Sequence, residues 1–214
     1  MRHPPPPGAT WRRSSTSSCR PREPIFAPAP ETPPVQPGSP TRHGLNADVL
    51  IRVAAPADAG AIAAIYNEGI EEREATFQTR LQSAADFERP IASQAEYPLL
   101  VAERGGRVVA WAATKPYSDF PPYRPVAECM LYVTASERRR GIGKSLLNAL
   151  ADAAEEAGFT KLIGKIFTGN ERSVALVRRC GFREVGVHLR HGRLDGEWRD
   201  VLLVERPLGE AVLR

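Results

Sequence analysis

The sequence has little cysteine, no long apolar run, and almost no net charge once its first 46 residues are set aside. Each shortage removes a class of function. The three cysteines, Cys19, Cys129 and Cys180, are widely separated, odd in number, and form no CxxC pair. That pattern is neither a disulfide framework nor a zinc site, and it fits a reducing cytoplasm. No apolar stretch approaches the roughly 20 residues that a membrane-spanning helix needs. A soluble protein without a membrane partner is therefore expected. The formal charge of +4 invites a nucleic-acid reading until it is located. Residues 1–46 carry six arginines, no lysine and only two acids, Glu23 and Glu31. Removing them from the totals of 29 basic and 25 acidic residues leaves the two signs balanced. A duplex-binding domain normally shows a basic face to the phosphates, so nucleic acid is not an expected partner.

What is present divides the chain in two. Residues 1–46 hold twelve of the twenty prolines, four of them consecutive from Pro4 to Pro7. Without apolar periodicity such a segment cannot repay the entropy of ordering, and it reads as a disordered extension. Its Arg-rich, Ser-rich, acid-poor character has something of a transit peptide, but four prolines in a row would break the amphipathic helix that such a peptide uses. A dispensable extension, or a start assigned too early, fits better. Residues 47–214 form the domain, and 42% hydrophobic content over the whole chain is ample for one core.

Within that domain the patterns predict strands at 50–53, 98–102, 107–111, 127–133, 161–167, 183–189 and 198–204. Helices are predicted after Asp58, over 83–94 with Ser83 as cap, over 143–157, and from Ser173 to Cys180. Strands and helices in the order β-α-α-β-β-β-α-β-α-β-β specify an α/β fold around a mixed sheet.

The most informative segment is LYVTASERRRGIGKS at 131–145. It passes from an apolar strand, through a basic turn with Gly141 and Gly143, into an amphipathic helix carrying Leu146, Leu147, Leu150 and Ala154. Glycine lets backbone approach an anion, and the unpaired N–H groups of a helix start can hold a diphosphate. Three phosphate loops compete. The nucleotide-hydrolase pattern GxxxxGK[ST] requires glycine where Arg138 stands. The dinucleotide pattern GxGxxG requires glycine where Leu146 stands, with a βαβ unit to follow. What remains is [RQ]xxGxG, from Arg138 to Gly143.

That loop resembles the coenzyme A loop of the GNAT superfamily of N-acetyltransferases, and GNERSVALVRRCGF at 169–182 resembles the superfamily's N-x-x-[SA]…GF segment. The resemblance spans 51–208. Four stretches are similar to its phosphinothricin and arsinothricin acetyltransferase branch: YNEGIEEREATF at 66–77, YPLLVAE at 97–103, VAECMLYV at 126–133 and HGRLDGEWRD at 191–200. The resemblance implies the GNAT fold, a mostly antiparallel mixed sheet flanked by helices, and acetyl-coenzyme A as cosubstrate without a metal. It implies a small-molecule amine as partner: a glutamate-like amino acid bearing a phosphinate, arsinate, sulfone or sulfoximine group. A homodimer is also implied.

Site residues follow from the same resemblance. Leu131, Tyr132 and Val133 would lie along the pantetheine arm and polarise the thioester. Arg138, Arg139, Arg140, Gly141, Ile142, Gly143, Lys144 and Ser145 would hold the diphosphate, the basic side chains adding positive charge at its mouth. Asn170 and Ser173 would contact the cofactor, Asn170 also capping a helix that begins at Ser173. Glu128 stands where the family places its base, and burial is expected to raise its pKa toward the working range. The family's histidine in the following helix is replaced by Val177, so that residue's role is not carried over. For the acidic substrate the candidates are Arg73, Phe77 and Arg124, an arginine offering two-pronged binding of a carboxylate or phosphinate. Arg124 lies in the Pro-rich loop 116–125, long enough for a lid, and Lys115 and Tyr117 are wall candidates. His188 and His191 are expected on opposite faces of a strand, Cys129 in packing, and Trp111 and Trp198 in the core or an interface. Two alternatives stay open: acetylation of another small amine or a protein N-terminus, and a non-catalytic acetyl-coenzyme A-binding module.

Overall fold

The computed structural model describes residues 48–209. The extension read as disordered lies outside the described residues. Seven strands, β1 (Val49–Val53), β2 (Leu99–Arg104), β3 (Arg107–Pro116), β4 (Val126–Val133), β5 (Lys161–Phe167), β6 (Arg183–Leu194) and β7 (Glu197–Pro207), form one sheet in the order β1-β2-β3-β4-β5-β7-β6. Every neighbouring pair is antiparallel except β4 and β5. The helices are α1 (Ala59–Glu71), α2 (Ala85–Ala92), α3 (Ile142–Glu156) and α4 (Glu171–Arg179). This is the GNAT fold that the sequence implied.

Two cores sit on opposite faces of the sheet, and the alternation of β2 and β3 feeds both. Leu100, Ala102, Ala110 and Ala112 join one core with Leu146 and Leu150 of α3. Leu99, Val101, Trp111 and Ala113 join the other with Ile62 and Ile65 of α1. Because both faces are covered, these strands read as unbroken apolar runs instead of alternating ones. On α3 the buried positions Ile142, Leu146, Leu150 and Ala154 recur every fourth residue. Each fully buried leucine there contributes roughly 1.5–3 kcal/mol. Trp111 is buried as expected, whereas Trp198 is half exposed beneath the Arg193 guanidinium, 4.5 Å from its ring.

Three local differences from the sequence reading have physical causes. Helix α2 is shorter than 83–94 at both ends, and ahead of it Asp86 turns back to accept from both the N–H and the hydroxyl of Ser83, at 2.8 Å each. Ser83 is thus the capped residue, not the cap. The last two strands are longer than predicted. Their turn is Asp195–Gly196, both with positive φ (51° and 84°), the geometry of a tight two-residue hairpin. Strand β6 reaches that turn through a bulge: His188 faces Val201 and Gly192 faces Arg199, so three residues on β6 oppose Asp200 alone.

Candidate active site

The parallel ladder between β4 and β5 stops early. Val126, Ala127 and Glu128 pair with Lys161, Leu162 and Ile163, and no further register follows. Past Glu128 the two strands part while β4 stays paired with β3 and β5 with β7. A cleft of about 390 Å³ opens there, lined by 128–132 of β4 and 164–167 of β5 together with residues of α1, α3 and α4. That volume suits a small-molecule site.

Glu128 lies at the apex of the cleft with a side chain only 14% exposed. Its register partner on β3 is Lys115, whose Nζ lies 3.0 Å from Oε1. Lys165, on β5, brings its Nζ to 2.7 Å from Oε2. Burial pushes the Glu128 carboxyl up, but the two ammonium groups outweigh it and hold the carboxyl below its ordinary range. The sequence reading is corrected here: buried Glu128 is, yet it is stably ionised instead of poised near neutrality. The β5 lysine was missed because it lies 37 residues away and reaches Glu128 across a parallel crossover. Lys115 was read only as a wall candidate, because the strand that carries it was taken to end at 111 and in fact runs to Pro116.

Next to Glu128, the Cys129 thiol is packed against the core that contains α3, and burial drives it up to about 12. It stays a neutral thiol and is no nucleophile. Tyr132 stacks on Trp111 with ring centroids 5.1 Å apart and meets Tyr66 edge-on at 4.8 Å. Burial pushes its hydroxyl far above the usual tyrosine range. The Tyr66 and Thr76 hydroxyls lie 3.2 Å apart in the same wall. These hydroxyls carried no signal in the sequence.

The loop after β4 is a short 3-10 turn, Ala135–Glu137, followed by the arginines and Gly141. Gly141 caps α3 with φ 83°, which glycine adopts without the penalty other residues meet, and no side chain caps the helix. The first-turn amides of α3 are therefore open to an anion, and a coenzyme A diphosphate fits that donor set. Gly143 abuts the cleft wall; a Cβ there would stand 3.3 Å from Leu176 and 3.6 Å from Leu131 and Val133. The arginines contribute less free charge than their number suggests. Arg138 donates to Val133 O at 2.9 Å and pairs with Glu72 at 2.8 Å, and Arg140 lies 3.4 Å from Glu137. Arg139 takes a left-handed φ of 63°. Asn170 lines the cleft and caps α4, its Oδ1 accepting from Ser173 N at 3.1 Å while its Nδ2 donates to Glu74 O. Ser173 and Val177 line the cleft too.

Of the three substrate candidates only Phe77 reaches the cleft, edge-on to Phe167 at 4.7 Å. Arg73 does not line it: its guanidinium pairs with Asp195 at 3.2 Å in the β6–β7 turn and bonds Ile70 O. Arg124 and Tyr117 also lie outside the lining, in a loop that exposes Tyr117, Phe120 and Tyr123. The expectation for His188 and His191 is overturned. The bulge brings their rings to 4.7 Å, and His191 lines the cleft. Asp200 pins that bulge by accepting from Arg190 N at 2.7 Å. Among the described residues, no cluster of three or more His, Cys, Asp or Glu side chains could hold a metal ion.

Comparison with known proteins agrees with this geometry. The family described as "Acetyltransferase (GNAT) family" matches residues 62–182. A phosphinothricin N-acetyltransferase of Alcaligenes faecalis is 30% identical over 187 residues, covering 85% of this chain and 95% of that protein. The crystal structure of a GNAT superfamily phosphinothricin acetyltransferase from Sinorhizobium meliloti, in complex with acetyl-coenzyme A, superposes with a TM-score of 0.72 at 31% identity, covering 77% of this chain and 91% of that one. A ribosomal-protein-alanine N-acetyltransferase from Brucella melitensis superposes with a TM-score of 0.71 at 36% identity, covering 74% and 99%.

Proposed function

The chain belongs to the acetyltransferase (GNAT) family and is an acetyl-coenzyme A-dependent N-acetyltransferase, and from that premise we propose that its acceptor is the α-amino group of a small glutamate-like amino acid, which N-acetylation would detoxify. The observation that supports this most is the ionised Glu128 at the apex of a cleft between two parted strands.

Acetyl-coenzyme A supplies the acetyl group as a thioester. In the transfer the acceptor nitrogen gains a bond to the acetyl carbon and the carbon–sulfur bond breaks; the acceptor ammonium loses two protons, one before attack and one as the amide forms, and the departing thiolate gains one, so that one proton is released overall. Glu128 accepts from the acceptor ammonium on the lone pairs its two lysines leave free and takes its proton, directly or through water. A carboxylate of low pKa is a weak base, so its rate contribution belongs near the lower end of the usual 10²–10⁴-fold range. Gly141 and the start of α3 hold the diphosphate, and Asn170 holds the pantetheine side. Phe77 and Phe167 close the apolar wall.

A thiol-release assay with acetyl-coenzyme A and L-phosphinothricin, arsinothricin, methionine sulfone and methionine sulfoximine tests the acceptor class. Turnover of at least one of them is the expected result, and inactivity toward all four by protein that binds coenzyme A would remove the class. A second reading, acetylation of a protein N-terminus, draws on the 36% identity to the Brucella melitensis enzyme. A peptide beginning with alanine belongs in the same assay.

A further inference from the structure

The cleft contains a charge pattern that the base assignment does not use. Among its lining residues the fixed charges are Lys115, Glu128 and Lys165. Glu128 is nearly enclosed at 14% exposure, whereas the two lysines, which line the cleft with it, are 47% and 42% exposed. One carboxylate neutralises one of the two cations, leaving the group with a net positive charge.

Stability does not account for this arrangement. Ion pairs of half-exposed lysines contribute little, and a carboxylate nearly enclosed at the apex of a cleft is costly to cover. Each ammonium has three donors and spends one on Glu128. Two donors on each ammonium therefore remain for a further acceptor, while each Glu128 oxygen keeps a lone pair. An α-amino acid carries the complementary pattern on adjacent atoms: a carboxylate for the cations and an ammonium for the anion. The two arginines expected to read an acidic acceptor, Arg73 and Arg124, do not line the cleft.

We propose that Lys115 and Lys165 read the free α-carboxylate of the acceptor, so that the enzyme selects free amino acids over carboxyl-blocked amines and peptide N-termini. This rests on the amino-acid acceptor argued above and assigns its specificity to two residues. The lysines position the acceptor's carboxylate while Glu128 meets its ammonium. A peptide N-terminus has an amide where the carboxylate would sit and leaves the surplus positive charge unpaired.

The test compares L-methionine sulfone with its carboxamide, the same amine without the carboxylate. The comparison is run at saturating acetyl-coenzyme A and about pH 8, where Glu128 is ionised in every variant. Wild-type protein is expected to favour the acid in kcat/KM, and Lys115→Met and Lys165→Met each to reduce that preference roughly tenfold or more, the scale of one charge-assisted hydrogen bond. The corresponding Arg variants should restore part of it. Calorimetric binding of the same two compounds in the presence of coenzyme A gives a readout independent of turnover, and thermal melting checks folding. If the lysines serve only to keep Glu128 ionised, both acceptors fall together and the acid-to-amide ratio is unmoved, which overturns the inference. Wild-type turnover of acid and amide alike overturns it also, while leaving the acceptor class intact. If wild-type protein neither binds nor acetylates either compound the inference falls, and inactivity toward all four amino acids of the panel overturns the acceptor class with it.

Discussion

Lys165 Nζ lies 2.7 Å from Oε2 of Glu128, across the point at which β4 and β5 stop pairing. With Lys115 on the other oxygen, this contact sets the protonation state of the proposed base. An opposite charge favours the ionised form, so removing it must raise the carboxyl pKa toward and beyond its ordinary value. In the wild-type enzyme, protonation of Glu128 should therefore leave kcat/KM untouched between about pH 6 and 8. Lys165→Met and Lys115→Met should move the acid limb of the pH profile upward. A limb that stays in place in both variants would show that these contacts do not govern Glu128.

The acceptor wall makes a prediction through Gly192. A Cβ at that position would stand 2.7 Å from Phe77 Cζ and 2.8 Å from Cε1. Gly192→Ala should push the Phe77 ring away from Phe167, at a cost of about 1–3 kcal/mol for the overpacking. It should raise KM for the acceptor more than for acetyl-coenzyme A. Denaturant unfolding and separate KM measurements check both halves.

At Gly141 the constraint is the backbone alone. Its φ is 83° and nothing lies within 4 Å of a Cβ built there. Gly141→Ala should thus cost roughly 1–2 kcal/mol from the left-handed conformation without any steric clash. Calorimetry should show weaker binding of coenzyme A, and weaker binding of 3′-dephospho-coenzyme A to a similar degree, because both carry the diphosphate.

Much of this site was legible in the sequence, and the limits have physical reasons. The glycine spacing at 141 and 143 was readable because a left-handed cap and a tight contact are local requirements. Asn170 was readable for the same reason, as a cap whose Oδ1 accepts from Ser173 N, although the helix starts at Glu171 and not at Ser173. Arg73 was misjudged because its partner Asp195 belongs to a hairpin far along the chain, whose approach no local pattern announces. His191 was misjudged because strict alternation fails at a bulge, which returns a side chain to a face that simple counting forbids. Lys165 was invisible, as parallel register between distant strands leaves no mark in local sequence.

Acid sensitivity should come in part from the turn before α1. Asp58 accepts from Arg52 Nη1 and Nη2 at 2.6 and 2.9 Å and from Ala55 N at 2.7 Å. The Arg52 guanidinium holds its carboxyl below the usual aspartate range. A depressed folded pKa contributes stability above the unfolded value of about 3.9 and loses it as pH falls through the folded one. Asp58→Asn should therefore cost about 1.5–3 kcal/mol at pH 7. The gap from wild type should narrow below about pH 4. Urea unfolding at pH 7 and pH 3 would reveal this, and an equal gap at both would contradict it.

The central claim is that an amine is acetylated in the β4–β5 cleft with Glu128 taking its proton. Single-turnover acetyl transfer by Glu128→Gln, at saturating acetyl-coenzyme A and with an acceptor the wild-type enzyme uses, tests it most directly. The account predicts a rate lower by roughly 10²-fold, with coenzyme A affinity kept. A variant that transfers acetyl at the wild-type rate would contradict it.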